Sequence, residues 1–187
     1  MLAKTFVFRL IYGGQAYSYA HDPAFTHVSK SQKYWQEIID EFYDKYKGMA
    51  QWHVRLVQEA LETGQYEAPT GRAYLYPRAD VANREWFWRP KILNYPVQGL
   101  GADLVAIGRV VAWKRLRKSG IPVLFQSTVH DSLDIDVKEE YNSRVMKIVK
   151  GSVEDIPLNF ERLFGVPFDL PLKAEITSGP NLKEQHE

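Results

Sequence analysis

The spacing of hydrophobic residues changes along this chain, and the changes predict where helices and strands lie. Helical spacing of apolar residues marks six segments: 3–13, about 15–20, about 31–62, about 95–118, 139–153 and 157–164. Ser29 or Ser31 is placed to cap the first long helix, and Gly48 is expected to kink it. These segments hold more than half of the chain, so the sequence predicts a mainly helical protein.

Apolar and polar residues alternate in the segments that are expected to form strands. Two short strands are predicted within 66–76, on either side of a Pro-Thr-Gly turn, and a hairpin is predicted with arms at 122–128 and 133–137. A last strand is expected at 171–177, whereas 78–93 is expected to be a loop. The predicted fold class is therefore α+β, with long helices packed on a small antiparallel sheet.

Composition excludes some classes of protein and leaves others open. The chain has 187 residues and is 45% hydrophobic, which suits one domain or the interlocked parts of two. It has no cysteine, so disulfides and thiolate metal sites are excluded. No apolar span of ~20 residues is present, and we expect a soluble cytoplasmic protein with no membrane partner.

The net charge of +1 gives no evidence for a nucleic-acid partner, although a local patch is still possible. Basic residues cluster near the end of the second long helix: Arg109, Lys114, Arg115, Arg117 and Lys118. Two interpretations of this cluster stay open, the solvated face of a helix and a contact with DNA.

The first helix carries three residues at the same spacing. Lys4, Phe8 and Tyr12 recur every fourth residue and so share one face, and Gly13 and Gly14 then end the helix. That face offers a cation, an aromatic ring and a phenol. Lys4 could equally be an ordinary helix lysine, and the two rings could be core aromatics.

The predicted hairpin at 128–137 brings His130, Asp131 and Ser132 to its tip. A carboxylate on a rigid tip is well placed to hold a hard cation such as Mg²⁺. A helix that presents lysine to phosphates, together with a hairpin that presents aspartate to Mg²⁺, is a combination used in phosphoryl transfer.

Three blocks of this sequence resemble family A DNA polymerases, the type of bacterial DNA polymerase I and of T-odd phages. They are Lys4-x3-Phe8-x3-Tyr12-Gly13, the run from Asn94 to Asp103, and Val129-His130-Asp131, and they occur in the order that the family has. Weaker matches are Gly71-Arg72 and the segment 171–179, so that the resemblance extends from residue 3 to about 183.

The resemblance implies roles for the nucleotide-facing residues. Lys4 would bind the triphosphate of the incoming dNTP and count as catalytic, Phe8 would stack on its sugar, and Tyr12 would lie near the templating base beside Gly13. A phenylalanine at position 8 would disfavour nucleotides without a 3′-hydroxyl.

The resemblance also implies contacts with primer–template DNA and with metal. Asn94, Gln98 and His130 would reach the primer–template, where amide or imidazole donors can check the minor-groove acceptors, and Arg72 resembles a fingers residue near DNA. Asp131 would be a catalytic Mg²⁺ ligand. Ser132 follows it where the family often has glutamate, and we expect Asp134 and Asp136 to be structural.

Parts of the family pattern are absent from this sequence. The block with the second catalytic aspartate has no match, the family's arginine four residues before Lys4 would precede Met1, and no thumb or exonuclease region is present. The resemblance thus implies a fingers-like portion at 1–93 and a C-terminal palm-like portion with the metal-binding hairpin at 94–187.

Two explanations of the missing parts are open. The chain is expected to be one subunit of a split polymerase, in a bacterial or phage-infected cell, whose partner is an N-terminal polymerase chain with the thumb and first palm motif; otherwise it is a fragment. The alternative function is a non-catalytic DNA-binding or interaction module that retains a polymerase-derived fold.

Overall fold

The structure is a computed structural model that describes the backbone of residues 2–181, 183 and 184, and the side chains of these residues except 78, 79, 81 and 85–87. The elements in this part of the chain are α1 Leu2–Ile11, α2 Ala16–His21, α3 Gln32–Lys45, α4 Lys47–Thr63, β1 Gln65–Glu67, β2 Ala73–Leu75, α5 Arg78–Asn83, α6 Glu85–Ser119, β3 Val123–Val129, β4 Ser132–Val137, a 3₁₀ turn Glu139–Tyr141, α7 Asn142–Glu154 and α8 Ile156–Phe164. The predicted α+β class is confirmed.

The chain forms two compact units, one up to Gln98 and one from Gly99 onward. Helix α6 belongs in part to each. In the first unit β1 pairs antiparallel with β2, and in the second β3 pairs antiparallel with β4. Both hairpins were predicted from the alternation of apolar and polar residues.

The first unit has two hydrophobic clusters. One is aromatic and joins α1, α2 and α3 through Phe6, Tyr19, Phe25 and Trp35. The other packs α4 and β2 against the start of α6; its fully buried members include Leu56, Tyr76, Ile92 and Leu93. Burial of such side chains is the main favourable contribution to folding.

The second unit also has two clusters. Leu116, Val145 and Val149 bring α6 and α7 together under one face of the β3–β4 hairpin. Ile107, Ile156 and Phe160 join α6 to α8. A Cβ built on Gly108 would lie 2.9 Å from Ile156 Cδ1, so the glycine permits this close approach.

The predicted long helix at 31–62 is two helices. Ser31 caps α3, since its Oγ accepts a hydrogen bond from the Tyr34 amide at 3.3 Å. The break falls at Tyr46, which has φ −112° and ψ 58°, and not at Gly48. The Tyr46 ring packs against Phe42 one turn earlier, with 4.7 Å between the ring centroids.

Two further predictions are wrong. Residues 78–93 were expected to be a loop, but α5 and the first two turns of α6 lie there, and α6 continues through Pro90 and Pro96. The burial of Ile92 and Leu93 outweighs the helix-breaking tendency of the prolines. Residues 171–177 form no strand, because alternation along the chain does not by itself supply the hydrogen-bonded partner that a strand needs.

No helix in the described ranges combines the length and the apolar character needed to cross a bilayer.

His53 is a polar side chain inside the first unit. It is 1% exposed, and its Nδ1 lies 3.2 Å from Tyr43 Oη. Its Nε2 is buried and has no hydrogen-bond partner among the residues that the structure describes. Burial, with a smaller effect from the positive charge of Arg89, lowers the pKa of His53 from 6.5 to about 4.

This pKa predicts acid destabilisation. Between pH 6.5 and about 4 the unfolded chain binds a proton at His53 that the folded chain does not, so the free energy of unfolding falls as the pH falls. The loss is up to about 3 kcal/mol. Urea unfolding at pH 7, 5.5 and 4.5 measures it; His53→Gln should flatten the pH dependence, and the exposed His27→Gln should leave it unchanged.

Candidate functional site

Helix α1 has one buried side and one exposed side. Phe6 and Leu10 lie in the aromatic cluster, whereas Lys4 is exposed and Phe8 is 51% exposed. The Lys4 Nζ lies 5.8 Å from the centre of the Phe8 ring, a cation–π contact. Lys4 and Phe8 therefore form a surface that offers a cation beside an accessible aromatic ring.

The C-terminal end of α1 is a Schellman motif. The Gly14 amide donates to the Arg9 carbonyl at 2.8 Å and the Gly13 amide donates to the Leu10 carbonyl at 3.0 Å. Gly13 has φ 84°, a conformation that favours glycine. The next residue is equally restricted, because a Cβ on Gly14 would lie 2.5 Å from Tyr19 Oη and 2.8 Å from the Arg9 carbonyl oxygen.

Two of the residues singled out in the sequence are in direct contact. Gln98 Nε2 donates a hydrogen bond to Tyr12 Oη at 3.1 Å, and both residues belong to the first unit. Gln98 is exposed and Tyr12 is half-buried. Tyr12 at the end of α1 is thereby tied to α6.

Asn94 and Arg72 lie in different surroundings. Asn94 is half-buried on α6, and its Oδ1 is buried with no hydrogen-bond partner in the described part of the chain. Arg72 is exposed and follows Gly71, which has φ 79°, in the turn between β1 and β2.

The second group of predicted residues forms the tip of the β3–β4 hairpin. Val129 pairs with Ser132, which leaves His130 and Asp131 as a two-residue turn. His130 has φ 53°, the only non-glycine residue with positive φ in the described ranges. Ser132 Oγ donates to the Val129 carbonyl at 3.0 Å, and this bond closes the turn. The Asp131 side chain is exposed at the tip.

The other carboxylates of the hairpin are arranged differently. Asp134 accepts a hydrogen bond from Ser127 Oγ beside a bulge at Gln126 in β3. Asp136 is exposed on β4. No three histidine, aspartate or glutamate side chains of the described residues come together as a metal cluster. The hairpin thus offers Asp131 as one ligand, and a complete metal site would need oxygen ligands from elsewhere.

A cavity of about 250 Å³ beside the end of α1 was missed by the sequence analysis. Amide side chains line much of it, and its walls also include Gly13, Tyr43 and Arg89; the amides are Gln15, Gln32 and Gln36. These residues come from the segment that joins α1 to α2, from α2 itself, from α3 and from α6, which are distant in sequence. No local pattern marks them, and only the tertiary structure brings them together.

Comparison with known proteins identifies the family. The family model for DNA polymerase family A matches residues 1–184, nearly the whole chain. The chain belongs to this family.

Two curated relatives are bacterial. DNA polymerase I of Aquifex aeolicus is 30% identical over 156 residues, which are 82% of this chain and 25% of that protein. DNA polymerase I of Pseudomonas aeruginosa is 28% identical over 187 residues, 98% of this chain and 19% of that protein. The chain therefore spans about a fifth to a quarter of the length of the curated relatives that it matches.

A solved structure supports the fold. It is the polymerase domain of Pol1 from M. smegmatis, in complex with DNA primer-template and dNTP. The TM-score is 0.76 at 22% identity, over 92% of this chain and 28% of that one. At this identity the likeness shows the fold alone.

The glycine end of α1 gives a prediction about stability. Gly14→Ala should lower the free energy of unfolding by about 2 kcal/mol or more, since the new methyl group collides with the Arg9 carbonyl and the Tyr19 hydroxyl. Gly48→Ala in α4 is the control: nothing lies within 4 Å of its Cβ, so it should stabilise the protein by about 0.5–1 kcal/mol. Denaturant unfolding of both variants measures the difference, and equal effects would contradict the tight packing at Gly14.

Proposed function

We propose that this chain provides the fingers and the C-terminal palm of a template-directed DNA polymerase. The reaction is nucleotidyl transfer from a dNTP to the 3′-hydroxyl of a primer. The observation that carries the proposal is the exposed pair Lys4 and Phe8 on α1, followed just after the helix by the half-buried Tyr12, which is hydrogen-bonded to Gln98. Membership of DNA polymerase family A supports it.

In this proposal α1 is the helix that meets the incoming nucleotide. The Lys4 ammonium is a compact charge on a flexible stem, which suits a triphosphate that moves during the reaction. The half-exposed Phe8 ring is free to stack on the sugar. Tyr12 and Gly13 lie at the end of the helix, near the templating base.

The residues proposed for DNA are Asn94, Gln98, His130 and Arg72. The minor groove presents acceptors at every base pair, so an amide or imidazole donor can check the shape of a pair without reading its sequence. The Tyr12–Gln98 hydrogen bond supports a role for Gln98 near the nucleotide. It joins Gln98, proposed to contact the primer–template, to Tyr12, proposed to lie near the templating base.

The backbone of the hairpin tip supports a functional role for His130 and Asp131. A non-glycine residue at φ 53° costs about 1–2 kcal/mol. Such strain persists where the position of the side chain matters. Here the turn aims both an imidazole and a carboxylate outward.

Mg²⁺ is the cofactor of the proposed reaction. When bound, Mg²⁺ would supply Lewis acidity at the attacking hydroxyl and positive charge at the leaving pyrophosphate. Asp131 is a suitable oxygen ligand because it is exposed and lies on a rigid turn. Its carboxylate is one member of the ligand set, and the described residues hold no further cluster of ligands around it.

We also propose that polypeptide outside this sequence completes the active site. The β3–β4 sheet has two strands in the part of the chain that the structure describes, and Leu124 and Val129 are 58% and 52% exposed. An unpaired edge with apolar side chains favours pairing with another segment. The proposed segment carries the thumb and the first catalytic aspartate, either as a separate N-terminal polymerase chain or as part of a longer protein, in a bacterial or phage-infected cell.

Asp131→Asn tests the metal assignment. In the completed polymerase the variant should extend a primed template at least about a thousandfold more slowly, since losing a metal ligand removes several kcal/mol of transition-state stabilisation. Its affinity for primer–template should change less than about twofold, because no phosphate contact is lost. The rate comes from single-turnover extension with Mg²⁺.

The matched control is Asp136→Asn, which removes an exposed carboxylate from the same hairpin. It should extend primers at nearly the wild-type rate. Wild-type turnover of Asp131→Asn would refute the assignment. Primer–template binding without any extension by the wild-type complex would favour the non-catalytic DNA-binding module instead.

Phe8→Tyr tests whether α1 faces the nucleotide. The ring remains able to stack and only a hydroxyl is added near the 3′ carbon, so dNTP incorporation should stay close to normal while dideoxynucleotide incorporation becomes easier. The measurement is the ddNTP/dNTP preference of both proteins side by side. Tyr34→Phe, at an exposed position of α3, is a control that should not alter the preference. An unchanged ddNTP/dNTP preference in Phe8→Tyr would show that α1 does not face the nucleotide.

A further inference from the structure

The C-terminal half of α6 has a positively charged face. Between Leu104 and Ser119 the sequence has five basic residues and no acidic residue. All five are exposed: Arg109, Lys114, Arg115, Arg117 and Lys118. Ala112 and Leu116 hold another side of the helix in the core, so its rotation is fixed and Arg109, Trp113 and Arg117 face outward.

An aromatic ring lies within this charged face. Trp113 is 45% exposed, and the Arg117 guanidinium carbon lies 4.8 Å from the centre of its ring. Arg109, Trp113 and Arg117 follow each other at intervals of four residues, so they form a row along the helix. Val110, also 45% exposed, lies beside the row.

Most of this charge is not neutralised by neighbouring groups. Arg115 forms an ion pair with Asp155, with Nη2 2.6 Å from Oδ2. Within the part of the chain that the structure describes, Arg109, Lys114 and Lys118 form no ion pair, and Arg117 contacts the Trp113 ring. This part of α6 thus combines unpaired cations with an accessible aromatic ring.

We propose that this side of α6, defined by the row Arg109, Trp113 and Arg117 and by Lys114 beside it, binds single-stranded DNA. The cations would contact phosphates and the indole ring would stack on a base. This inference rests on the proposed function, because a polymerase acts where the template strand is single-stranded.

The chemistry of the face favours a single strand over the other anionic partners. In a duplex the base faces are hidden by stacking, so Trp113 would have no partner there. Lysine is depleted at protein–protein interfaces, and two of the four free cations are lysines. Of these three partners, an unstacked strand is the one that supplies phosphates and accessible aromatic faces together.

The test measures the binding of a fluorescent dT oligonucleotide of about 20 nucleotides to the full 187-residue chain. Fluorescence anisotropy gives the Kd at several salt concentrations, and a matched duplex is measured in the same way. Trp113→Ala should raise the Kd for the single strand about tenfold or more, whereas Trp113→Phe should keep the affinity within about threefold, because a ring is retained. Arg109→Ala/Lys114→Ala should reduce the slope of log K against log salt by about 1.4, the value for two lost phosphate contacts on a single strand.

Matched controls come from exposed helical positions of the first unit. Tyr34→Ala removes an exposed ring, and Lys33→Ala/Arg55→Ala removes two exposed cations. Circular dichroism checks that every variant is folded. Oligonucleotide affinities equal to wild type in the α6 variants, or losses as large in the controls, would overturn the proposal.

Two further outcomes decide between partners. Tighter binding of the duplex than of the single strand, with no effect of Trp113→Ala, would overturn the proposal in favour of simple charge attraction. Displacement of the oligonucleotide by polyglutamate of equal charge, at equal concentration, would point to an acidic protein and would also overturn it.

Primer extension separates this inference from the proposed function. Single-strand binding that depends on Trp113, in a completed complex that never extends a primer, would support the surface and refute the polymerase activity. Normal primer extension, together with an oligonucleotide affinity that no α6 variant changes, would support the polymerase activity and refute the surface.

Discussion

The burial of one face of α1 fixes the direction of the candidate site. Phe6 packs against Tyr19 at 4.7 Å and Trp35 at 5.7 Å between ring centres, and Tyr19 Oη donates to the Phe6 carbonyl at 3.1 Å. Burial raises the pKa of Tyr19, so its hydroxyl stays protonated and remains a donor. Because Phe6 is held inward on both its ring and its backbone, Lys4 and Phe8 must face outward. The cation and ring that would meet a nucleotide are thus positioned by residues that never touch it.

Positive φ occurs at both groups of site residues, but for different reasons. At Gly13 it ends a helix, and glycine adopts it without steric cost. At His130 it forms a two-residue turn where glycine or asparagine would be less strained. The imidazole is therefore present in spite of local backbone preference, which is the pattern expected when a side chain serves a purpose other than folding.

The sequence predicted those parts of the structure that depend on neighbours along the chain. The spacing of Lys4, Phe8 and Tyr12 predicted a helix with a shared face, and the alternation around His130 and Asp131 predicted the hairpin; both elements are present. Whether these residues have the proposed roles stays a prediction. The exposure of Phe8 at least separates it from the core aromatics with which its spacing could be confused.

Three of the failures share a cause, since each depended on contacts between distant residues. Pro90 and Pro96 suggested a loop, but the burial of Ile92 and Leu93 against α4 stabilises a helix through them. The alternation at 171–177 suggested a strand, but pairing with another strand is a long-range contact that alternation alone does not specify. The cavity beside Gly13 was invisible because its lining comes from several helices.

Prediction from the net charge of the chain has the same limit, since the net charge does not show which cations are neutralised by neighbouring groups. Arg9 forms an ion pair with Asp22 and stacks over Phe25, and the Arg9 hydrogen bond holds the pKa of Asp22 below its usual value. That arginine is therefore committed to the fold, and Lys4 is the cation that α1 presents on its exposed face. In the C-terminal half of α6 the balance is reversed, because among the described residues Arg115 is ion-paired and the other four basic residues there are not. A net charge of +1 is thus compatible with two cationic surfaces, since the acids that balance the sum lie elsewhere.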